Sequence, residues 1–117
     1  MQTFVCSLSW TDKGIQSVNG IGTRRTLAST EVAEEFGITV KEILYTSGDI
    51  DILYILEAPS GEAVAKWALF IGSRGFVRTR TARAFTPAEF DTLLDDVLPR
   101  LLTPRPAPTG QPASGPA

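Results

Sequence analysis

The chain opens with strict alternation. Phe4, Cys6, Leu8 and Trp10 fall on one side, and Thr3, Val5, Ser7 and Ser9 on the other. A period of two is the signature of a strand, here over residues 3–10. Thr11-Asp12-Lys13-Gly14 breaks the alternation, and the glycine-bearing stretch through Gly20 and Gly22 reads as a loop with room for one short helical turn. From Thr23 to Phe36 the period becomes helical. Leu27, Ala28, Val32 and Phe36 form the apolar side, and Gly37 stands where a helix needs a residue tolerant of positive φ.

A second strand is expected over Thr39–Thr46 and a third over Ile50–Glu57, joined by the turn Ser47-Gly48-Asp49 as an antiparallel hairpin. Pro59 ends the third strand, Ser60 is the expected N-cap of the next helix, and Glu62 sits well in its first turn. In that helix Val64, Trp67, Ala68 and Ile71 repeat at helical spacing, and Gly72 closes it. Gly75 to Phe85 is the fourth strand. Thr86-Pro87-Ala88-Glu89 then combines an N-cap, a proline at the first helical position and a capping-box glutamate, with Phe85 and Phe90 placed as a hydrophobic staple. The last helix is expected to bury Phe90, Leu94, Val97 and Leu101, with Pro99 ending or kinking it. Residues 1–103 are thus one domain. Residues 104–117, rich in Pro and Ala, show no apolar periodicity and read as a disordered tail.

The order β-α-β-β-α-β with an extra C-terminal helix leads to an α+β, ferredoxin-like fold, with four antiparallel strands, the first and third central, and helices on one face. The third strand carries Ile52, Tyr54 and Leu56 on one side and Leu53 and Ile55 on the other. Both faces are apolar, yet a two-layer sandwich covers one. Packing of two such sheets into a homodimer, or a larger homo-oligomer, resolves this. The alternative is that the last helix folds across the open face.

Composition narrows the chemistry. The 117 residues suit one core, 43% are apolar and 21% charged, and the net charge is −2. Interspersed charges of that balance give no general attraction to nucleic acid or anionic lipid. No run approaches the roughly 18 apolar residues of a membrane span. Met1-Gln2-Thr3-Phe4 lacks the basic start and apolar core of a signal peptide, so a cytoplasmic protein is expected. The absence of histidine removes Ser-His-Asp and Cys-His catalysis, histidine zinc sites and histidine haem ligation. One cysteine, Cys6, forms neither an internal disulfide nor a thiolate cluster. What remains is chemistry by carboxylates, arginines, tyrosines and hydroxyls, and any activity in a dimer pocket is expected to be metal-free and cofactor-independent.

Five pieces stand out in order along the chain: Trp10-Thr11-Asp12-Lys13-Gly14, Gly48-Asp49-Ile50-Asp51, Leu56-Glu57-Ala58-Pro59, Val77-Arg78-Thr79 and Arg83-Ala84-Phe85-Thr86. Through them residues 3–98 resemble the GYD domain family. The resemblance implies the dimeric α/β-barrel superfamily, which also holds antibiotic-biosynthesis monooxygenases and muconolactone isomerases. It implies no activity, since fold is a poor guide to chemistry. Ile50 stands where the family's Gly-x-Tyr-Asp signature has its tyrosine, so any role of that phenol is lost here, while Asp51 is kept.

Each candidate site residue has a plainer reading beside the functional one. Asp51 and Glu57 share a face with Leu53 and Ile55, where a carboxylate at the edge of an apolar pocket could act as a general base. Asp51 could equally cap its own turn, and Glu57 could sit in solvent at a strand end. Arg78 and Arg80 share a face of the fourth strand and Arg83 points away from it. They suit a carboxylate clamp or a solvated outer strand. Trp10 and Tyr54 line a ligand pocket or simply fill the core. Cys6 alternates with Phe4 and Leu8 and reads as an inert buried thiol. Gly20-Ile21-Gly22 lacks the following Gly-Lys-Ser/Thr of a phosphate loop.

Two functions follow. One is a small-organic-molecule site in the dimer, built from Ser7, Trp10, Asp51, Tyr54 and Arg78, that binds a ligand or acts on an organic acid. The other is a non-enzymatic oligomeric interaction module with the Pro-rich tail as a flexible arm.

Overall fold

The computed structural model describes residues 1–21 and 24–102. The tail expected at 104–117 lies outside them. Eight elements follow in order: β1 (Gln2–Trp10), α1 (Asp12–Ile21), α2 (Arg24–Glu35), β2 (Thr39–Tyr45), β3 (Ile52–Ala58), α3 (Gly61–Ser73), β4 (Val77–Ala84) and α4 (Pro87–Leu102). The chain divides into two compact units, Met1–Ala84 and Phe85–Ala117.

In the first unit the strands form one antiparallel sheet in the order β2-β3-β1-β4, so β1 and β3 are central as the ferredoxin-like pattern requires. The ladder between β1 and β4 runs without a break from Thr3–Ala84 to Trp10–Val77. The ladder between β2 and β3 carries a bulge between Val40 and Glu42. In the hairpin turn, Thr46 donates its N–H to the Asp51 carbonyl at 2.9 Å and its hydroxyl to the Ile50 carbonyl.

Helices α1, α2 and α3 pack on the face bearing Phe4, Cys6, Leu8, Ile52, Tyr54 and Leu56. Trp67 of α3 is fully buried, with its ring edge-on to Tyr54 at 5.2 Å between centroids. Such a pair adds about 0.5–1.5 kcal/mol beyond its buried area. The helix begins on Ser60, whose side chain accepts the Ala63 N–H, and Gly75 beyond it takes φ +81°. The stop is therefore Gly75, three residues later than the expected Gly72, because Gly72 stays helical and only Gly75 needs the left-handed conformation.

The expected loop after β1 is instead the helix α1. Thr11 caps it: its hydroxyl accepts the Gly14 N–H at 3.1 Å and its carbonyl the Ile15 N–H at 2.9 Å. Gly14 marks a close approach and breaks nothing. A Cβ there would lie 2.0 Å from the Phe76 carbonyl oxygen.

Helix α2 also differs from the expected stripe. Leu27 is 59% exposed and Ala28 is exposed, while Ala33 is fully buried with Val32 and Phe36 packed beside it. So polar a helix buries little apolar surface. Two side-chain hydrogen bonds hold it as well: Trp67 Nε1, from the core, donates to the Ser29 carbonyl at 2.9 Å, and the half-exposed Tyr45 donates its hydroxyl to Thr26 Oγ1 at 2.8 Å. Each such bond contributes about 1 kcal/mol.

In the second unit, the capping box forms as the spacing predicts, with Thr86 N–H to Glu89 Oε1 at 2.8 Å and Glu89 N–H to Thr86 Oγ1 at 3.2 Å. Helix α4 continues through Pro99 to Leu102, and none of its residues is buried. The expected burial of Phe90, Leu94, Val97 and Leu101 is therefore not found: Phe90 and Val97 are about half exposed and Leu101 largely so.

Candidate functional site

Strand parity decides which candidate residues can meet. Trp10 and Tyr54 project toward the helices. There they line a cavity of about 40 Å³ with Leu8, Ile52, Ile71 and Val77. That space holds about one water molecule and lies far below the roughly 300 Å³ at which ligand pockets begin. Tyr54 is 1% exposed, and burial pushes its phenol up to about 12, so it stays protonated at neutral pH. Its hydroxyl points to the Thr26 carbonyl at 3.4 Å, a long bond. Cys6 lies in the same layer, fully buried, and its thiol is pushed up by desolvation although Thr81 Oγ1 reaches it at 3.5 Å. A thiol so placed is a poor nucleophile.

Asp51 stands at the foot of β3. Its Oδ2 accepts the Trp10 backbone N–H at 2.8 Å, and its own N–H donates to the Leu8 carbonyl at 2.9 Å. The carboxylate thus ties the end of β1 to the start of β3, a structural post across strands.

Ser7 and Arg78 occupy the second face of the sheet, away from Trp10 and Tyr54. Ser7 pairs with Leu53 on one side and Arg80 on the other, and Arg78 pairs with Ser9. Two cross-strand rows run across the middle of that face: Leu44–Leu53–Ser7–Arg80 and Glu42–Ile55–Val5–Ala82. Its centre is apolar. On its β2 side Glu57 pairs with Lys41 at 3.6 Å, and on its β4 side stand Arg78 and Arg80. Among the described residues neither of those guanidinium groups has a carboxylate or carbonyl partner. Arg83 faces the helices and donates to the Thr3 carbonyl at 3.1 Å. The five candidates therefore separate into an interior pair, a backbone post and two residues on the opposite face.

Residues 4–94 match the model of the GYD domain. The chain belongs to the GYD domain family. A curated relative, the "Glutamine synthetase and cystathionine beta-lyase binding protein" of Thermus thermophilus, is 29% identical over 89 residues, spanning 76% of this chain and 94% of the relative. No helix among the described residues is long and apolar enough to cross a membrane.

This GYD domain has a second surface feature that the helical stripe of α3 did not announce. Between α3 and β4 runs a groove of about 370 Å³ lined by Gly61, Ala65, Ala68, Leu69, Thr79 and Thr81. Leu69, at 74% exposure, stands on its wall. The sequence did hold a signal: Leu69 is apolar yet falls off the buried stripe of Val64, Trp67 and Ile71.

Proposed function

We propose that this GYD domain is a non-enzymatic interaction module that self-associates and binds a metabolic enzyme in the cytoplasm. The observation that carries this reading is the Thermus relative, which is covered over nearly its whole length and is named for binding glutamine synthetase and cystathionine beta-lyase. The surface chemistry supports it. The second sheet face presents Val5, Leu44, Leu53 and Ile55 as one apolar patch that no helix of Met1–Ala84 covers. A second copy is the expected occupant of that patch, as the dimeric superfamily implies. The interior supports it too, since about 40 Å³ beneath Trp10 and Tyr54 accommodates no organic acid without movement of the core.

Titration calorimetry of the full chain against purified glutamine synthetase and cystathionine beta-lyase from its own organism tests the proposal. Saturable binding of either enzyme at a fixed stoichiometry is expected. Absence of heat and of complex with both, at protein concentrations of about 100 μM, where even weak interfaces register, would remove the reading.

A further inference from the structure

The two edges of the sheet are not alike. Edge strand β2 is interrupted by the bulge at Val40/Glu42 and carries Lys41 there, two devices that keep another strand from adding. Edge strand β4 has no bulge, its ladder with β1 is regular throughout, and its charge comes from arginines, which attract an acidic strand as readily as they repel a basic one. Along its outer side, alternate N–H and C=O groups face away from the sheet. Its side chains alternate in character as well. Thr79 and Thr81 line the groove with α3, while Arg78 and Arg80 project from the other face without partners among the described residues.

We infer that β4 accepts an extended segment of the partner protein as an added strand, and that this segment alternates apolar and acidic residues. The inference rests on the interaction-module reading and names the surface and chemistry it would use. A strand laid about 4.8 Å outside β4 places every second side chain toward the groove, against Ala65, Ala68 and Leu69. The intervening side chains lie beside Arg78 and Arg80, where carboxylates find planar, charge-assisted donors. In two registers the same arginines also oppose a second copy of this chain. Antiparallel pairing of β4 with itself about Thr79 sets Arg78 against Arg80, and pairing about Arg80 sets Arg80 against itself. Like charges directly across strands are destabilising. Pairing about Thr81 sets Arg80 against Ala82 and Arg78 against Ala84, which leaves both guanidinium groups without a counter-charge, whereas an acidic strand meets them both; the occupant is therefore a different, acidic strand.

Fluorescence anisotropy with the full chain and a blocked, fluorescein-labelled peptide alternating valine and glutamate tests this. Saturable, salt-sensitive binding is expected. The lysine-for-glutamate peptide should bind at least about tenfold more weakly, since several rim charges reverse sign. Methylation of alternate peptide nitrogens should weaken binding similarly in one of the two methylation registers, because strand addition uses the main chain. Arg78→Glu/Arg80→Glu, on exposed positions that leave the core intact, should exchange the preference between the two peptides. Leu69→Glu should weaken the glutamate peptide through the groove. Equal binding of both peptides, binding of neither, or indifference to both methylation registers would overturn the inference. The fate of the broader reading is separable. If the enzyme partner binds wild type and Arg78→Glu/Arg80→Glu alike, the module reading stands and the β4 site falls. If the peptide binds as expected but neither enzyme does, the site stands and the partner assignment falls.

Discussion

Gly14→Ala puts the close approach of α1 to the β4 side of the sheet on trial. In an exposed helix, alanine in place of glycine stabilises by about 1 kcal/mol. Here the new Cβ would lie 2.0 Å from the Phe76 carbonyl oxygen and 2.9 Å from its carbon, both backbone atoms that cannot rotate aside. The same carbonyl accepts the Thr11 N–H at 3.1 Å, and the Thr11 hydroxyl donates to the neighbouring Gly75 carbonyl at 2.5 Å. Relieving the clash moves α1 off its cap and strains or breaks both bonds, at about 1 kcal/mol each, and overpacking adds about 1–3 kcal/mol. Against the propensity gain, the net expectation is a loss of about 2–4 kcal/mol, or on the order of 10–20 °C in melting temperature for a domain of this size. Urea unfolding followed by tryptophan fluorescence measures it. Gly72→Ala is the matched control. No atom lies within 4 Å of the position of its Cβ, and it should be neutral or stabilising by up to about 1 kcal/mol. A Gly14→Ala variant as stable as wild type would refute the account of why α1 packs where it does.

Other consequences can be measured on the same material. Asp51→Ala leaves the Trp10 N–H without its acceptor and should cost about 1–2 kcal/mol in urea unfolding, with Asp51→Asn recovering part of the loss. Tyr54 ionises near 10 when unfolded and at about 12 when folded, so its contribution to stability is intact below pH 10 and is lost as pH rises toward 12. Wild type should lose about 3 kcal/mol across that window, and Tyr54→Phe should lack this component of the slope. Ile55→Asp sets a charge in the centre of the second sheet face. Light scattering should then report a single chain where wild type reports a larger species, with the far-ultraviolet circular dichroism unchanged.

Much of this architecture was legible because strand alternation and helix caps are local signals. Phe4 to Trp10 and Ile52 to Leu56 announce both central strands, and the Thr86–Glu89 box forms as spelled. Helix α1 was hidden because glycine in a sequence reads as a breaker. At Gly14 it serves contact with Phe76, a residue more than sixty positions away. The apolar side of α2 was legible at Val32 and Phe36 and misplaced at Leu27, because size and hydrophobicity pointed there while the close packing of helix on sheet selected small Ala33. For the candidate site, the alternation already set Ser7 opposite in sense to Trp10, and Asp51 opposite to Tyr54. Grouping them by chemistry overrode that parity, and the structure restores it. The β4 groove needed three dimensions, because Ala65 and Leu69 meet Thr79 and Thr81 only once α3 lies over the sheet edge.

Amide hydrogen exchange of the full chain, alone and with the glutamine synthetase of its own organism, decides whether an enzyme docks on β4. If β4 is the docking edge, added enzyme should slow exchange along Val77–Ala84 and leave the N–H groups of β2 unchanged. Unaltered exchange over the whole chain at saturating enzyme, or protection confined to segments other than β4, would contradict it.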